Sequence, residues 1–518
     1  MAASWLNDAV FYEIYPQSFY DSNGDGIGDL NGITEKLSYI KSLGCNALWL
    51  NPIYDSPFQD AGYDVRDHKK VAPRYGTEED LVHLFEQAHK MGIRVLLDLV
   101  PGHTSEQHPW FLESAKEERN EMSDRYIWTS NAFCGGDGMP FIGGEHPRDA
   151  AYIINFFKCQ PALNFGYRDI HDPSWQMPID APAPLATREA IKDIMRHWLK
   201  LGCDGFRVDM ADSLVKNDHG TKEATVKVWQ DMAGAIHEEY PDAALVSEWN
   251  NPQQALAGGF DMDFFLNWDG NGYSNLLRDY KLNGKKLVSD NSYFKAESDR
   301  DMHCFLDDYM PKYEQTKDLG LYCLITGNHD VKRPTVNLND SERKIAYAFL
   351  LTMPGVPFIY YGDEIGMNYR FISTKEGGYH RTGSRTPMQW DGSENLGFSK
   401  AAAEQLYLPV DPAADAPTVE NQLADPDSML HFVRSVIALR HEQADLQAYS
   451  SFAPFYVGKR AFAYKRGELL LAIHPGLEAE DIALDGKYEM IFSHGAPVMQ
   501  GKTLTMVPGS FAVLKPIK

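Results

Sequence analysis

The stretch Gly202-Cys203-Asp204-Gly205-Phe206-Arg207-Val208-Asp209-Met210-Ala211-Asp212-Ser213 decides how the rest of the chain is read. A helical pattern ends at Leu201, and residues 206–210 then have the length and apolar content of a strand. Side chains alternate along a strand, so Arg207 and Asp209 share one side and Phe206 and Val208 the other. A guanidinium two residues before a carboxylate favours its ionised form, which a carboxylate nucleophile requires. A structural ion pair at a strand end explains the same spacing, so the meaning of the stretch depends on what the other strand ends carry.

Outward from it, short apolar runs alternate with amphipathic segments of helix length. Strands are expected at residues 9–16 (AVFYEIYP), 47–52 (ALWLNP), 94–100 (RVLLDLV), 206–210, 244–249 (ALVSEW), 260–267 (FDMDFFLN), 319–326 and 356–361 (VPFIYY). Helices are expected at 33–43, 77–91, 187–201, 222–239 and 428–446. Nearly continuous apolar strands imply a parallel sheet covered on both faces. Eight of them with helices between predict an α/β fold, a (β/α)8 TIM barrel. The rhythm breaks at 104–167, which is rich in Gly, Pro and aromatic residues and carries a charged segment, 115–125, expected as a solvated helix face. That length without alternation predicts a small inserted domain after strand 3. After a long loop at 362–426 and the closing helix, short β-like runs separated by Gly and Pro predict a C-terminal β domain. The expected boundaries are 1–103 and 168–446 for the barrel, 104–167 for the insertion and 447–518 for the terminal domain.

The net charge of -24, from 49 basic and 73 acidic residues, argues against nucleic acid or an anionic membrane as partner. The 12% aromatic content suits large cores or stacking surfaces for flat ligand faces. Cys45, Cys134, Cys159, Cys203, Cys304 and Cys323 show no CxxC spacing, which disfavours both zinc and a disulfide framework. The opening MAASWLND lacks the basic and apolar regions of a signal peptide, and no run approaches the ~20 apolar residues of a membrane span. A reducing cytoplasm is the expected compartment.

Catalytic groups of such barrels stand at the C-terminal ends of several strands. Those ends carry Asp98 followed by Gly102-His103-Thr104-Ser105, then Arg207 and Asp209, then Glu248, then Gly327-Asn328-His329-Asp330. Four carboxylates, one arginine and two histidines converge on one mouth, and buried carboxylates are rare without a reason.

GFRVDMA, SEW, GNHD and the DLV..HTS stretch resemble the signature regions of the α-amylase family, glycoside hydrolase family 13, in the family's order, with the resemblance running from Ala9 to Trp390. It implies a catalytic barrel, a domain inserted after strand 3 and a C-terminal antiparallel β-sandwich. It also implies that Asp209 is the nucleophile, Glu248 the general acid/base and Asp330 the carboxylate that holds sugar hydroxyls. His103 and His329 resemble hydroxyl binders, Arg207 the partner of the nucleophile, and Tyr63 the residue stacked under the cleaved sugar. Asp60 and Asp98 are further candidates for the sugar site. Cleavage with retention requires one ionised carboxylate to attack the anomeric carbon and one carboxyl to protonate the leaving oxygen. Arg207 is expected to keep Asp209 ionised, and Trp249 to wall off Glu248.

Two further stretches point to a subgroup. In Asp21-Ser-Asn-Gly-Asp-Gly-Ile-Gly-Asp29, the side chains of Asp21, Asn23, Asp25 and Asp29 and the Ile27 carbonyl offer oxygen donors suited to a hard cation, Ca2+, in a structural role. The alternative is a Gly/Asp turn. The loop resembles that of family members acting on short α-glucosides. Ser384-Arg-Thr-Pro-Met-Gln-Trp-Asp391 resembles a segment of oligo-1,6-glucosidases and trehalose synthases, with Arg385 beside the leaving-group site. Gly102 stands where the family often has Asn. The expected reaction is hydrolysis of short α-glucosides, with transglycosylation or disaccharide isomerisation as the alternative. A carbohydrate is the expected partner.

Overall fold

The computed structural model describes residues 3–373, 375 and 381–517. Eight parallel strands form its centre: β1 (Phe11–Ile14), β2 (Ala47–Leu50), β3 (Arg94–Leu99), β4 (Gly205–Val208), β5 (Ala244–Ser247), β6 (Met262–Phe264), β7 (Leu321–Cys323) and β8 (Phe358–Tyr360). They are hydrogen-bonded in the order β7-β6-β5-β4-β3-β2-β1-β8, and a parallel bridge between Ile325 and Phe358 closes β7 onto β8. The strands are buried from end to end, apart from the half-buried Arg94. That burial is the reason they appear in the sequence as unbroken apolar runs. Gly205 starts β4 at a φ of 144°, where a Cβ would lie 2.0 Å from the Ala244 carbonyl oxygen. No other residue allows β4 to lie this close to β5.

Among the covering helices are α1 (Leu30–Leu43), α2 (Glu78–Lys90), α3 (Pro182–Leu201), α4 (Glu223–Glu239), α5 (His303–Thr316), α6 (Asp340–Thr352) and α7 (Met429–Glu442). Their ends follow local chemistry. Thr77 and Asp80 form a capping box at α2, and Gly202, left-handed at φ 116°, ends α3 just before the β4 turn.

The insertion carries an antiparallel pair, Phe141–Gly143 with Ala151–Ile153, and meets the barrel mouth through a bridge between His103 and Ala162. Its helix is Pro109–Ser114, where Pro109 takes the first position and His108 accepts from the Trp110 amide. Residues 115–125 form turns instead of the expected helix. Asn120 accepts from the Met122 amide and Ser123 Oγ from the Asn120 amide, which competes with helical hydrogen bonding. A hairpin that the sequence reading lacked, Tyr280–Asn283 with Lys286–Asp290, stands between β6 and α5.

The C-terminal residues build a five-stranded and a three-stranded antiparallel sheet. Ala463, Leu470, Ala472 and Leu514 of the first pack with Ile482, Leu504 and Met506 of the second, a sandwich core. The long segment expected after β8 is described except for Thr374 and residues 376–380.

Candidate active site

At the C-terminal mouth of the barrel a pocket of about 470 Å3 is lined by Asp60, Tyr63, His103, Phe156, Asp209, Met210, Glu248, Asp330 and Arg381.

Arg207 organises the floor. It is buried beneath the pocket, and its Nη1 reaches Asp98 Oδ1 at 3.0 Å and Asp209 Oδ1 at 3.1 Å. Its Nη2 pairs with Glu248 Oε2 at 2.8 Å. The alternation of β4 therefore places Arg207 and Asp209 together, and the same guanidinium spans two of the carboxyls that face the pocket, Asp209 and Glu248. After Asp209 the chain turns sharply. Met210 is left-handed at φ 42°, and its amide donates to Glu248 Oε2 at 3.0 Å. A non-glycine residue in this region is held there by its surroundings, at a cost of roughly 1–2 kcal/mol. The turn aims the Met210 side chain into the pocket.

Burial, and then the neighbouring Glu248, push the Asp209 carboxyl well above the usual carboxylate range, while Arg207 pulls it down without winning. This corrects the simple expectation that Arg207 alone keeps Asp209 ionised. Arg207, in contact with both carboxyls, offsets only part of the cost of ionising Asp209. Trp249 does not wall Glu248 off. It turns away from the pocket, where its Nε1 donates to Gln254 Oε1 at 3.0 Å.

Asp330 behaves oppositely. Burial pushes it up, but the Arg381 and Arg385 guanidiniums outweigh burial and hold it far below the usual range. Its Oδ1 accepts from Arg381 Nη1 at 2.7 Å and Arg385 Nη2 at 2.9 Å. Arg381 also donates to Asp60, whose other oxygen accepts from Gln160 Nε2 at 2.8 Å. Burial lifts Asp60 to about 6 against the pull of Arg381. Arg381 thus ties Asp60, beyond β2, to Asp330, beyond β7, along one wall.

Behind this wall runs a buried network. Tyr63 lines the pocket with its ring stacked on His329 at 5.2 Å, and its hydroxyl donates to Asp98 Oδ2 at 2.9 Å. His329 Nε2 meets that hydroxyl at 2.7 Å, while its Nδ1 faces Glu13 Oε1 at 2.9 Å and Asn51 Nδ2 at 3.1 Å. Burial lowers His329 well below its ordinary value, so the ring is neutral. His103 is lowered to about 3 by burial; its Nε2 donates to the Tyr63 carbonyl and its Nδ1 accepts from Asn155 Nδ2. Asp98 is lifted to about 6 by burial, opposed by Arg207.

The structure therefore brings Asp209, Glu248, Asp330, Tyr63, Asp60 and His103 to the pocket surface. Asp98, His329 and Arg385, expected at the sugar, stand behind it instead, with Arg385 fully buried and its Nε on the His329 carbonyl, while Arg207 lies beneath Asp209 as the expected partner of that carboxyl. The arginine that lines the pocket is Arg381, which the sequence reading missed in favour of Arg385. Glu13, Asn51, Asn155 and Phe156 were missed as well. A Cβ at Gly102 would lie 2.8 Å from Asn155 Nδ2, the end of a side chain that would have to shift to admit it. The cation near this junction is Lys216, whose Nζ donates to Asn155 Oδ1 at 2.8 Å and the Ser213 carbonyl at 2.7 Å.

The loop from Asp21 to Asp29 lies on the β1 side of the barrel. Asp21 accepts from the Gly24 and Gly26 amides and from Ser399 Oγ, Asn23 from the Asp25 amide, and Asp25 from the Ile27 amide. Asp29 accepts from Ser22 and caps α1 through the Gly32 amide. Among the described residues no three His, Cys, Asp or Glu side chains gather closely enough to hold a metal ion. A cation here would draw on Asn23 and the Ile27 carbonyl besides the carboxylates. That all-oxygen set, wrapped by left-handed Gly24 and Gly26, fits Ca2+ through Asp21 Oδ1, Asp29 Oδ2 and the Asn23 and Asp25 side-chain oxygens, which accept one hydrogen bond each, whereas Asp21 Oδ2 and Asp29 Oδ1 already accept two.

A family profile described as alpha amylase, catalytic domain, matches residues 13–448. The trehalose synthase/amylase TreS of Mycolicibacterium smegmatis is 35% identical over 480 residues, covering 84% of this chain and 76% of that protein. An oligo-1,6-glucosidase of Parageobacillus thermoglucosidasius is 31% identical over 509 residues, covering 87% of this chain and 86% of the enzyme. Among solved structures, an inactive double mutant of MutB in complex with isomaltulose superposes with a TM-score of 0.82 at 26% identity, covering 99% of this chain and 100% of that one.

Proposed function

The chain belongs to the α-amylase family of glycosidases, and from that premise we propose that it is a retaining enzyme that cleaves the α-glucosidic bond of short α-glucosides, malto- or isomalto-oligosaccharides. Asp209 attacks the anomeric carbon and Glu248 hands its proton to the leaving oxygen. A covalent glycosyl-enzyme forms, and Glu248 then takes a proton from the water that releases the sugar. The observation that carries this reading is the single guanidinium of Arg207 placed against both carboxyls. Asp330, held ionised by Arg381 and Arg385, is suited to bind hydroxyls of the cleaved unit. The Asp60–Arg381–Asp330 bridge supports a short substrate, because a chain passing through the pocket would have to break it.

A second reading follows from the relatives: a sugar hydroxyl replaces water as acceptor, giving a transglycosylase or disaccharide isomerase. The 35% identity to a trehalose synthase/amylase favours it. Chromatography of products from maltose, isomaltose, sucrose and trehalose, each supplied alone, separates the two. Net glucose from maltose or isomaltose is the expected result, and new disaccharides without net glucose would overturn hydrolysis.

Ca2+ at Asp21, Asn23, Asp25, Asp29 and the Ile27 carbonyl belongs to the same proposal as a structural ion. The compartment we propose is a reducing cytoplasm, which the six free cysteines support. Among the described residues no helix is long and apolar enough to cross a membrane.

A further inference from the structure

Glu13 stands inside β1, among aromatic and aliphatic residues, and the two displacements at Asp209 and Glu248 give it no task. It is fully buried. Its Oε1 meets His329 Nδ1 at 2.9 Å and accepts from Asn51 Nδ2 at 3.2 Å, while its Oε2 has no hydrogen-bond partner. Among the described residues no lysine or arginine forms an ion pair with it, and His329 is its neighbour in that role. An ionised carboxylate with an unpartnered oxygen is costly in such a place, whereas a neutral acid leaves only a bare carbonyl oxygen there. Burial pushes the Glu13 carboxyl well above its usual range, against the pull of Arg207.

The two ring nitrogens of His329 face opposite kinds of group. Beside Nδ1 lie Glu13 Oε1 at 2.9 Å and Asn51 Nδ2 at 3.1 Å. The Asn51 amide nitrogen can only donate, so Nδ1 meets it as an acceptor. Beside Nε2 lie the Tyr63 hydroxyl at 2.7 Å and Asp330 Oδ2 at 3.4 Å. Ionised Asp330 can only accept, and the Tyr63 proton is already given to Asp98 Oδ2 at 2.9 Å. Nε2 therefore carries the one proton of the neutral ring. With Nδ1 bare, the proton in its contact with Glu13 belongs to the carboxyl. The opposite assignment turns an Nδ1–H toward the Asn51 amide and an Nε2 lone pair toward Asp330, and it draws the Tyr63 proton away from Asp98.

We propose that Glu13 is a neutral acid that donates to His329 Nδ1 and so holds the imidazole in its Nε2–H tautomer. It is a positioning residue, and its effect on turnover rests on the glycosidase reading. The chain of bonds runs on from the ring. Nε2–H serves the Tyr63 oxygen, the Tyr63 proton serves Asp98, and Asp98 Oδ1 takes Arg207 Nη1 at 3.0 Å. The same guanidinium touches Asp209 and Glu248. Glu13 thus acts on the catalytic carboxyls through the direction in which buried protons point, and it does not touch the sugar.

Neutron diffraction from crystals of perdeuterated protein near neutral pH reads this arrangement without turnover. The expected map shows deuterium on Glu13 and on His329 Nε2, a bare Nδ1, and the Tyr63 deuteron directed at Asp98. Deuterium on Nδ1 facing a bare Glu13 carboxylate would overturn the proposal. Kinetics with p-nitrophenyl α-glucoside test the consequence. Glu13→Leu removes the donor, and Glu13→Gln keeps one, because its amide N–H can face Nδ1 while its carbonyl accepts from Asn51. In Glu13→Leu, kcat is expected to fall roughly tenfold or more, the size of a lost buried hydrogen bond, with KM within about threefold of native. Glu13→Gln is expected to recover most of that loss. Equal kcat in the two variants, whether native-like or depressed, would overturn the positioning role. If Glu13→Leu does not fold, the neutron map alone decides. Failure of the native protein to cleave any α-glucoside would count against the glycosidase reading, and the map would still decide where the proton lies.

Discussion

Replacing Arg381 by alanine tests how the pocket recognises the end of its substrate. The side chain is 11% exposed, Asp60 3% and Asp330 31%. Asp330 retains Arg385 after the change, so the loss falls on Asp60 and on the integrity of the wall. A hydrogen bond to a charged group contributes about 1.5–3 kcal/mol. At about 1.4 kcal/mol per factor of ten, kcat/KM for a short α-glucoside should fall roughly 10- to 150-fold. Most of the loss should appear in KM, because Arg381 holds the wall of the pocket and neither attacks nor protonates. Asp60, already lifted to about 6 with Arg381 opposing burial, should then bind a proton at higher pH still, adding an alkaline-shifted step to the pH profile. With the bridge gone, the preference for maltose over longer malto-oligosaccharides should narrow. Steady-state kinetics on maltose through maltopentaose between pH 5 and 8 reads all three effects. A variant within twofold of the native kcat/KM, with unchanged length preference, would refute the closed-wall reasoning.

Three other outcomes follow from the same geometry. Asp209→Ala should abolish turnover, and Glu248→Gln should lower it by ~10²–10⁴-fold, in purified protein with native circular dichroism; near-native rates in either would remove that residue from the chemistry. Asp263 is buried, accepts from Ser247 Oγ at 2.7 Å and the Trp249 amide at 3.2 Å through one oxygen, and is lifted to about 7 by burial. Its folded value lies above the unfolded ~3.9, so its stabilising contribution is full below about pH 4 and is lost as pH rises through 7. Asp263→Asn should therefore gain in melting temperature relative to the native protein between pH 5 and pH 8, and a constant difference would contradict that assignment. A chelator should lower the melting temperature, and added Ca2+ should restore it; no shift, together with no metal by elemental analysis, would leave the Asp21–Asp29 stretch as a self-bonded turn.

The eight barrel strands were legible because each is buried on both sides and so carries an unbroken apolar run. Arg207 and Asp209 were legible because strand alternation is a local rule that survives any tertiary context. What was not legible depends on closure of the barrel. Glu13 sits inside β1 in a run of aromatic and aliphatic residues, and its partner His329 lies 316 residues away. Nothing local marks it as part of the site. Arg381 and Arg385, both in the loop after β8, stand four residues apart with identical chemistry. Only the folded loop shows that Arg381 faces the pocket while Arg385 is buried under Asp330. The charged segment at 115–125 looked helical by composition, but Ala115 and Met122 are its only apolar residues, and its Asn and Ser side chains bond the backbone instead.

The central claim is that Asp209 and Glu248, joined by Arg207, carry out two successive displacements at one anomeric carbon. Proton NMR of the first glucose released from p-nitrophenyl α-glucoside tests it most directly, before mutarotation mixes the anomers. The account predicts α-glucose as the first product, appearing ahead of the β form. β-Glucose as the first product would mean a single displacement by water, and would contradict the role assigned to Asp209.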